Sequence, residues 1–156
     1  MRKTLIQFRE VAFTYEGARP VLNGVNFRLS RSERVALVGP NGSGKSTLLH
    51  LAVGLLRPDG GEIEAFGKVR AEEQDFREVR ARTGLLFQEP EDQLFCPTVL
   101  EDVAFGPLNL GRSPEEAYAI AEDTLSSLGL QGYGERITHK LSEGEKRLVY
   151  LATVLA

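Results

Sequence analysis

The chain has 156 residues, 42% hydrophobic and 26% charged, with a formal net charge of −3. That composition suits a globular protein of one domain, or one domain with an insertion, and it argues against a protein that coats nucleic acid. No apolar run approaches the ~20 residues needed to span a bilayer. No secretory-signal core follows Met1-Arg2-Lys3. The single cysteine, Cys96, cannot form an internal disulfide and fits a reducing compartment, so a cytoplasmic protein with a structural Cys96 is expected.

The first expected elements are strands. Leu5 to Tyr15 alternates loosely and carries Ile6, Phe8, Val11, Phe13 and Tyr15, enough for one or two strands. Val21 to Ser30 reads as another, after a turn holding Gly17 and Pro20. Two strand regions before any helix predict an antiparallel β region joined to an α/β core. Arg34 to Val38 is a short β-branched run, as a buried parallel strand should be.

The next segment, Gly39-Pro40-Asn41-Gly42-Ser43-Gly44-Lys45-Ser46-Thr47, is a complete G-x-x-x-x-G-K-[ST] phosphate-binding loop. Its glycines let the backbone curl and aim N–H groups at phosphate oxygens. Lys45 supplies a compact positive charge, and the Ser46 hydroxyl is a ligand for Mg²⁺. Ser46 to Leu56 is predicted as a helix whose positive end faces the phosphates, stopped by Arg57-Pro58-Asp59-Gly60-Gly61. Nucleotide binding follows, with ATP and Mg²⁺ as the expected cofactors.

Further on, Glu62 to Phe66 reads as a strand, Asp75 to Arg82 as a charged helix, and Thr83 to Phe87 as a second buried strand ending at Gln88. The character then changes to helices at Thr98–Phe105 and Ser113–Leu128. The second of these has Ser113-Pro114-Glu115-Glu116 at its start and Gly129 at its end. The expected organisation is a nucleotide-binding core with its β region over 1–88, a helical insertion over 89–140, and a last helix over 141–156. Leu141-Ser142-Glu143-Gly144-Glu145-Lys146 opens that last helix. Taken alone, Ser142 with Glu145 is a capping box.

The order of phosphate loop, glutamine at a strand end, helical insertion and L-S-x-G-E at a helix start resembles the ATP-binding subunits of ABC transporters. The runs Phe87 to Phe95 and Phe105 to Leu110 resemble the ATPases of cobalt, nickel and energy-coupling-factor vitamin importers. The resemblance implies a P-loop NTPase fold and a role for each matching position. Tyr15 would stack on adenine, and Gln88 would approach Mg²⁺ and the attacking water. Ser142, Gly144 and Glu145 would close over ATP held by a second ATPase subunit, paired head to tail as a homo- or heterodimer. Integral membrane subunits would be the other partners, contacted through Gln88 to Asn109, with the protein peripheral at the inner face of the membrane. Nucleic acid is not an expected partner. Glu143 departs from the commoner glycine of this motif.

The family's Mg²⁺-associated Asp and catalytic Glu, which follow an apolar strand, have no counterpart here. Asp92 and Asp102 follow no such strand, and neither His50 nor His139 has the family's order for a switch histidine. The central sheet is therefore expected to be incomplete, and ATP hydrolysis by these residues alone is not expected. Two other readings remain open: a non-catalytic nucleotide-binding module, or a soluble DNA-maintenance ATPase with the same motifs. The importer-like runs Gln88 to Phe95 and Phe105 to Leu110 favour the importer over the DNA-maintenance ATPase.

Overall fold

A computed structural model describes residues 3–17, 19–87 and 94–156. They fall into two compact units, 1–83 and 84–156.

The first unit is built on a four-stranded antiparallel sheet in the order β2-β1-β3-β4: β1 Thr4–Thr14, β2 Pro20–Ser30, β3 Gly60–Ala65 and β4 Lys68–Val69. The predicted antiparallel β region is present. The loose alternation of β1 has a physical cause. Phe8 pairs with Phe27 and Val11 with Val25, so β1 advances three residues where β2 advances two. That bulge exposes both Arg9 and Glu10 and returns the apolar residues to one face. Ile6, Phe8, Val11, Phe13, Leu22, Ile63 and Ala65 are buried there against Leu48 and Leu51 of helix α1, Lys45–Ala52, and against Phe76 and Val79 of helix α2, Glu73–Arg80.

The second unit is helical: α3 Val99–Asn109, α4 Pro114–Ser127 and α5 Glu143–Leu155, with a 3-10 turn at Thr138–Lys140 before α5. Val99, Val103, Ala117, Ala121, Leu125 and Val149 form its core. Asp102 is buried on α3, where its Oδ1 accepts the Phe95 N–H at 3.1 Å and the Cys96 N–H at 3.0 Å. Burial and then the Asp102 carboxylate push the Cys96 thiol up to about 11, so a reactive thiolate is suppressed and a structural Cys96 is supported.

Two expected core strands are not strands. Arg34 to Val38 and Thr83 to Phe87 pair with nothing as strands among the described residues. Val35, Val38, Leu86 and Phe87 are exposed, Val38 at 93%, while Leu37 packs against the first unit's core. An extended segment becomes a strand only when a neighbour accepts its N–H groups. The α/β fold is realised with a small, incomplete sheet, as expected.

Candidate functional site

The phosphate loop leads into α1, and its glycines serve distinct purposes. Gly44 is the residue before α1 and has φ +86°, and a Cβ there would sit 2.7 Å from Leu22 Cδ2 and 3.0 Å from Val21 Cγ1. Only glycine takes that backbone conformation against that wall. A Cβ on Gly42, at φ +80°, would meet nothing within 4 Å, and residues 39 to 43 are exposed. Lys45 folds back onto the loop: its Nζ donates to the carbonyls of Gly39 at 2.9 Å and Pro40 at 2.8 Å, with Ser43 Oγ at 3.5 Å. Ser46 is exposed and Thr47 is buried.

The start of α1 differs from the other helix starts. It has no side-chain cap and no acidic residue in its first turn. By contrast, the Asp75 carboxylate accepts the Ala71 and Glu72 N–H groups at the start of α2, and α3, α4 and α5 each carry a complete capping box. The first N–H groups of α1 lie beside a lysine, with no carboxylate or hydroxyl among the described residues taking them. That is the arrangement an anion requires.

Tyr15 stands just past β1, 42% exposed, with its ring edge-on to Phe13 at 4.8 Å between centroids. Its hydroxyl lies 3.1 Å from Thr47 Oγ1. The fold thus brings together two predicted site residues that are 32 positions apart in sequence. Gln88 lies outside the described residues. No group of three or more His, Cys, Asp or Glu among the described residues could hold a free metal ion. With the Ser46 hydroxyl exposed at the helix start, the donor set fits Mg²⁺ that arrives with a polyphosphate.

Ser142, Gly144 and Glu145 lie at the start of α5, in the second unit. The capping box forms as the spacing predicts: Glu145 Oε2 accepts the Ser142 N–H at 2.8 Å and its hydroxyl at 2.7 Å. Two partners were not foreseen from sequence. The Tyr133 hydroxyl and Arg136 Nη1 donate to Glu145 Oε1 at 2.8 and 3.0 Å. Neither follows from a helical or strand period, because both sit in the turn-rich stretch after α4. Gly144 has nothing within 4 Å of where its Cβ would be. Packing within this chain does not require glycine there, although glycine within a helix costs roughly 0.5–1 kcal/mol against alanine.

The Ser142 hydroxyl, its backbone N–H and the Tyr133 hydroxyl hold the Glu145 carboxyl at about 2, down from 4.5. A depressed carboxyl stabilises the fold fully above its unfolded value, and the contribution is lost as pH falls from 4.5 through about 2. An NMR titration of the Glu145 carboxyl carbon is expected to give a midpoint near 2, and Ser142→Ala to move it upward. A midpoint at the ordinary glutamate value would show that the cap does not persist in solution.

The sequence pattern of the ABC transporter family matches residues 22–156. The energy-coupling factor transporter ATP-binding protein EcfA of Methanothermobacter thermautotrophicus is 45% identical over 154 residues, which cover 97% of this chain and 49% of that protein. Two solved structures share the fold. One is cbiO1 of Clostridium perfringens, described as part of the ABC transporter complex cbiONQ, with TM-score 0.86, 32% identity, and coverage of 98% of this chain and 61% of that one. The other is a dimeric ATP-binding cassette in a post-hydrolysis state with ADP and Pi, with TM-score 0.85, 26% identity, and coverage of 97% and 69%. The chain spans about half to two-thirds of the length of the curated relatives it matches. With its glycine loop, its uncapped α1 and a family match over 22–156, the chain belongs to the ABC transporter family.

Proposed function

We propose that these residues bind MgATP and form part of the ATPase subunit of an ABC-type importer for a metal ion such as cobalt or nickel, or for a vitamin. The observation that carries the binding reading is the start of α1. It has no cap of its own, and Lys45 and the open backbone around Gly42 lie beside it. In this reading Lys45 and the loop N–H groups take the phosphates, and Ser46 and Gln88 hold Mg²⁺ with them. Mg²⁺ supplies charge neutralisation of the polyphosphate. Tyr15 offers its ring to the base. Within these 156 residues we assign binding rather than turnover, because they hold no counterpart of the Asp-Glu pair that the family resemblance places at the end of an apolar strand.

Partners follow from the second unit and the relatives. Gly144, which packing does not require, leaves the start of α5 open to a nucleotide on a second ATPase subunit in a head-to-tail pair. The dimeric cassette with ADP and Pi supports that pairing. Phe95 and Phe105 meet edge-on at 4.7 Å between centroids, yet are 63% and 41% exposed, and Leu110 is 59% exposed. That apolar surface suits a membrane-embedded partner subunit, and cbiO1 is described as part of the ABC transporter complex cbiONQ. No helix among the described residues is long and apolar enough to cross a membrane, so attachment at the inner face is assigned to the partners.

The test is titration of the protein with a fluorescent ATP analogue and Mg²⁺. Saturable binding is expected. Tyr15→Ala should weaken it about tenfold, within the range of stacking on an aromatic side chain, and Tyr15→Phe less than threefold. No binding would sink the reading. Equal losses for the two Tyr15 variants would remove the base-stacking role.

A further inference from the structure

The glutamate of the α5 capping box is held more tightly than a cap requires. Its Oε2 takes the Ser142 N–H and hydroxyl, and its Oε1 takes the Tyr133 hydroxyl and Arg136 Nη1. Four donors thus fill the roughly four lone-pair sites of one carboxylate. The equivalent boxes at α3 and α4 work without such help. There Glu101 bonds only Thr98, and Glu116 only Ser113, among the described residues. The extra pair is stacked on itself: the Arg136 guanidinium lies 3.6 Å above the centre of the Tyr133 ring.

We propose that Tyr133 and Arg136 are positioning residues for the α5 start, a role that rests on the reading of Ser142 and Gly144 as the face presented to a partner's ATP. By fixing both oxygens of Glu145 they fix the Ser142 hydroxyl, which donates to one of them. Arg136 also offsets a carboxylate charge that would otherwise stand, beside Glu143, close to an incoming polyphosphate. A glutamate capped only by its serine can rotate its free oxygen into solvent and take the serine with it. A glutamate bonded on both oxygens cannot do so without breaking two further hydrogen bonds.

The same clamp is tied to the segment that follows Gln88 in sequence. The Val99 N–H donates to the Arg136 carbonyl at 3.0 Å, and the Leu100 N–H to the Gly134 carbonyl at 3.0 Å. Thr98 and Ile137 form an antiparallel bridge, and the Thr138 hydroxyl donates to the Cys96 carbonyl at 2.9 Å. Arg136 therefore bonds the start of α3 through its backbone and the start of α5 through its side chain. A shift of residues 96–100 acts on the clamp directly rather than through a chain of packed side chains.

The experiment uses the complete gene product. Dimerisation with a non-hydrolysable ATP analogue and Mg²⁺ is read by analytical ultracentrifugation. Nucleotide affinity of the unassociated protein and its unfolding midpoint are measured beside it. Tyr133→Phe, which keeps the ring, and Arg136→Gln are each expected to weaken dimerisation about three- to tenfold, the range for a partly exposed charge-assisted hydrogen bond. The double variant should lose less than the product of the two, because both act on one carboxylate. Nucleotide affinity should stay at the wild-type value, and the unfolding midpoint should fall by no more than about 3 °C, the share of one partly exposed hydrogen bond. Arg136→Lys should recover only part of the loss, since lysine lacks the planar fork. Gly144→Asp is the reference and should abolish dimerisation. If Gly144→Asp fails to dimerise while Tyr133→Phe and Arg136→Gln dimerise as wild type, the clamp is overturned and the reading of α5 survives. If Gly144→Asp dimerises normally, both fall. Weaker dimerisation accompanied by an unfolding midpoint lower by more than about 8 °C would make the pair structural supports and would also overturn the proposal.

Discussion

Replacing Lys45 with alanine is expected to lower MgATP affinity by about a hundredfold while leaving the unfolding midpoint close to wild type. The two effects separate because of where the ammonium sits. Its present partners are the Gly39 and Pro40 carbonyls and the Ser43 hydroxyl, on an exposed loop where water can replace it. Loss of those bonds should cost under about 1 kcal/mol of stability. In the proposed complex the same charge would face the phosphates, and truncating one member of such a charge pair costs about 3 kcal/mol, or about a hundredfold. Lys45→Arg should fall between the two, because a planar guanidinium does not reproduce a point charge in so tight a loop. Titration with a fluorescent ATP analogue measures this directly. Binding by Lys45→Ala within fivefold of wild type would contradict the assigned site.

The largest expected effect on stability lies at the other end of the same helix. Gly54→Ala should destabilise the first unit by about 3 kcal/mol or more and lower its thermal midpoint by about 15 °C. Gly54 ends α1 at φ +75°, with its own N–H bonded to the Leu51 carbonyl at 3.2 Å and the Leu55 N–H to the His50 carbonyl at 2.9 Å. These are the paired bonds of a glycine-terminated helix. Alanine costs roughly 1–2 kcal/mol in that conformation alone. Its Cβ would also stand 2.6 Å from Phe76 Cβ, and nearer still to the ring, and Phe76 is only 2% exposed. The ring has nowhere to go without opening the core. Circular dichroism through thermal unfolding reads the shift. Adding Phe76→Leu should restore part of the loss, and a shift below about 3 °C for Gly54→Ala alone would show that α2 can move away.

Much of the site was legible because its chemistry is local. Nine consecutive residues, Gly39 to Thr47, carry the loop, and the spacing from Ser142 to Glu145 carries the capping box, which forms as expected. What was illegible depends on distant partners. The Tyr15–Thr47 bond joins residues with no shared period, and Tyr133 and Arg136 reach Glu145 from a stretch without regular structure. The bulge in β1 shows the same limit. Loose alternation could be read from Leu5 to Tyr15, but only pairing with β2 shows that Arg9 and Glu10 bulge outward so that Val11 and Phe13 rejoin the buried face.

Arg34 to Val38 and Thr83 to Phe87 have the composition of buried strands, and the sequence alone determined that they are short and mostly apolar. Whether they are strands was for tertiary structure to decide, because a strand exists only through ladder hydrogen bonds to a neighbouring strand, and neither segment joins a sheet among the described residues. By itself, the sequence determined the phosphate loop, the helix starts and the family resemblance, all set by residue types at short fixed spacings. Only the folded chain decided that α1 is the helix start left uncapped while the other four are capped, and that Glu145 is clamped from a second side. Both depend on which donors and acceptors the fold brings within about 3 Å of one another.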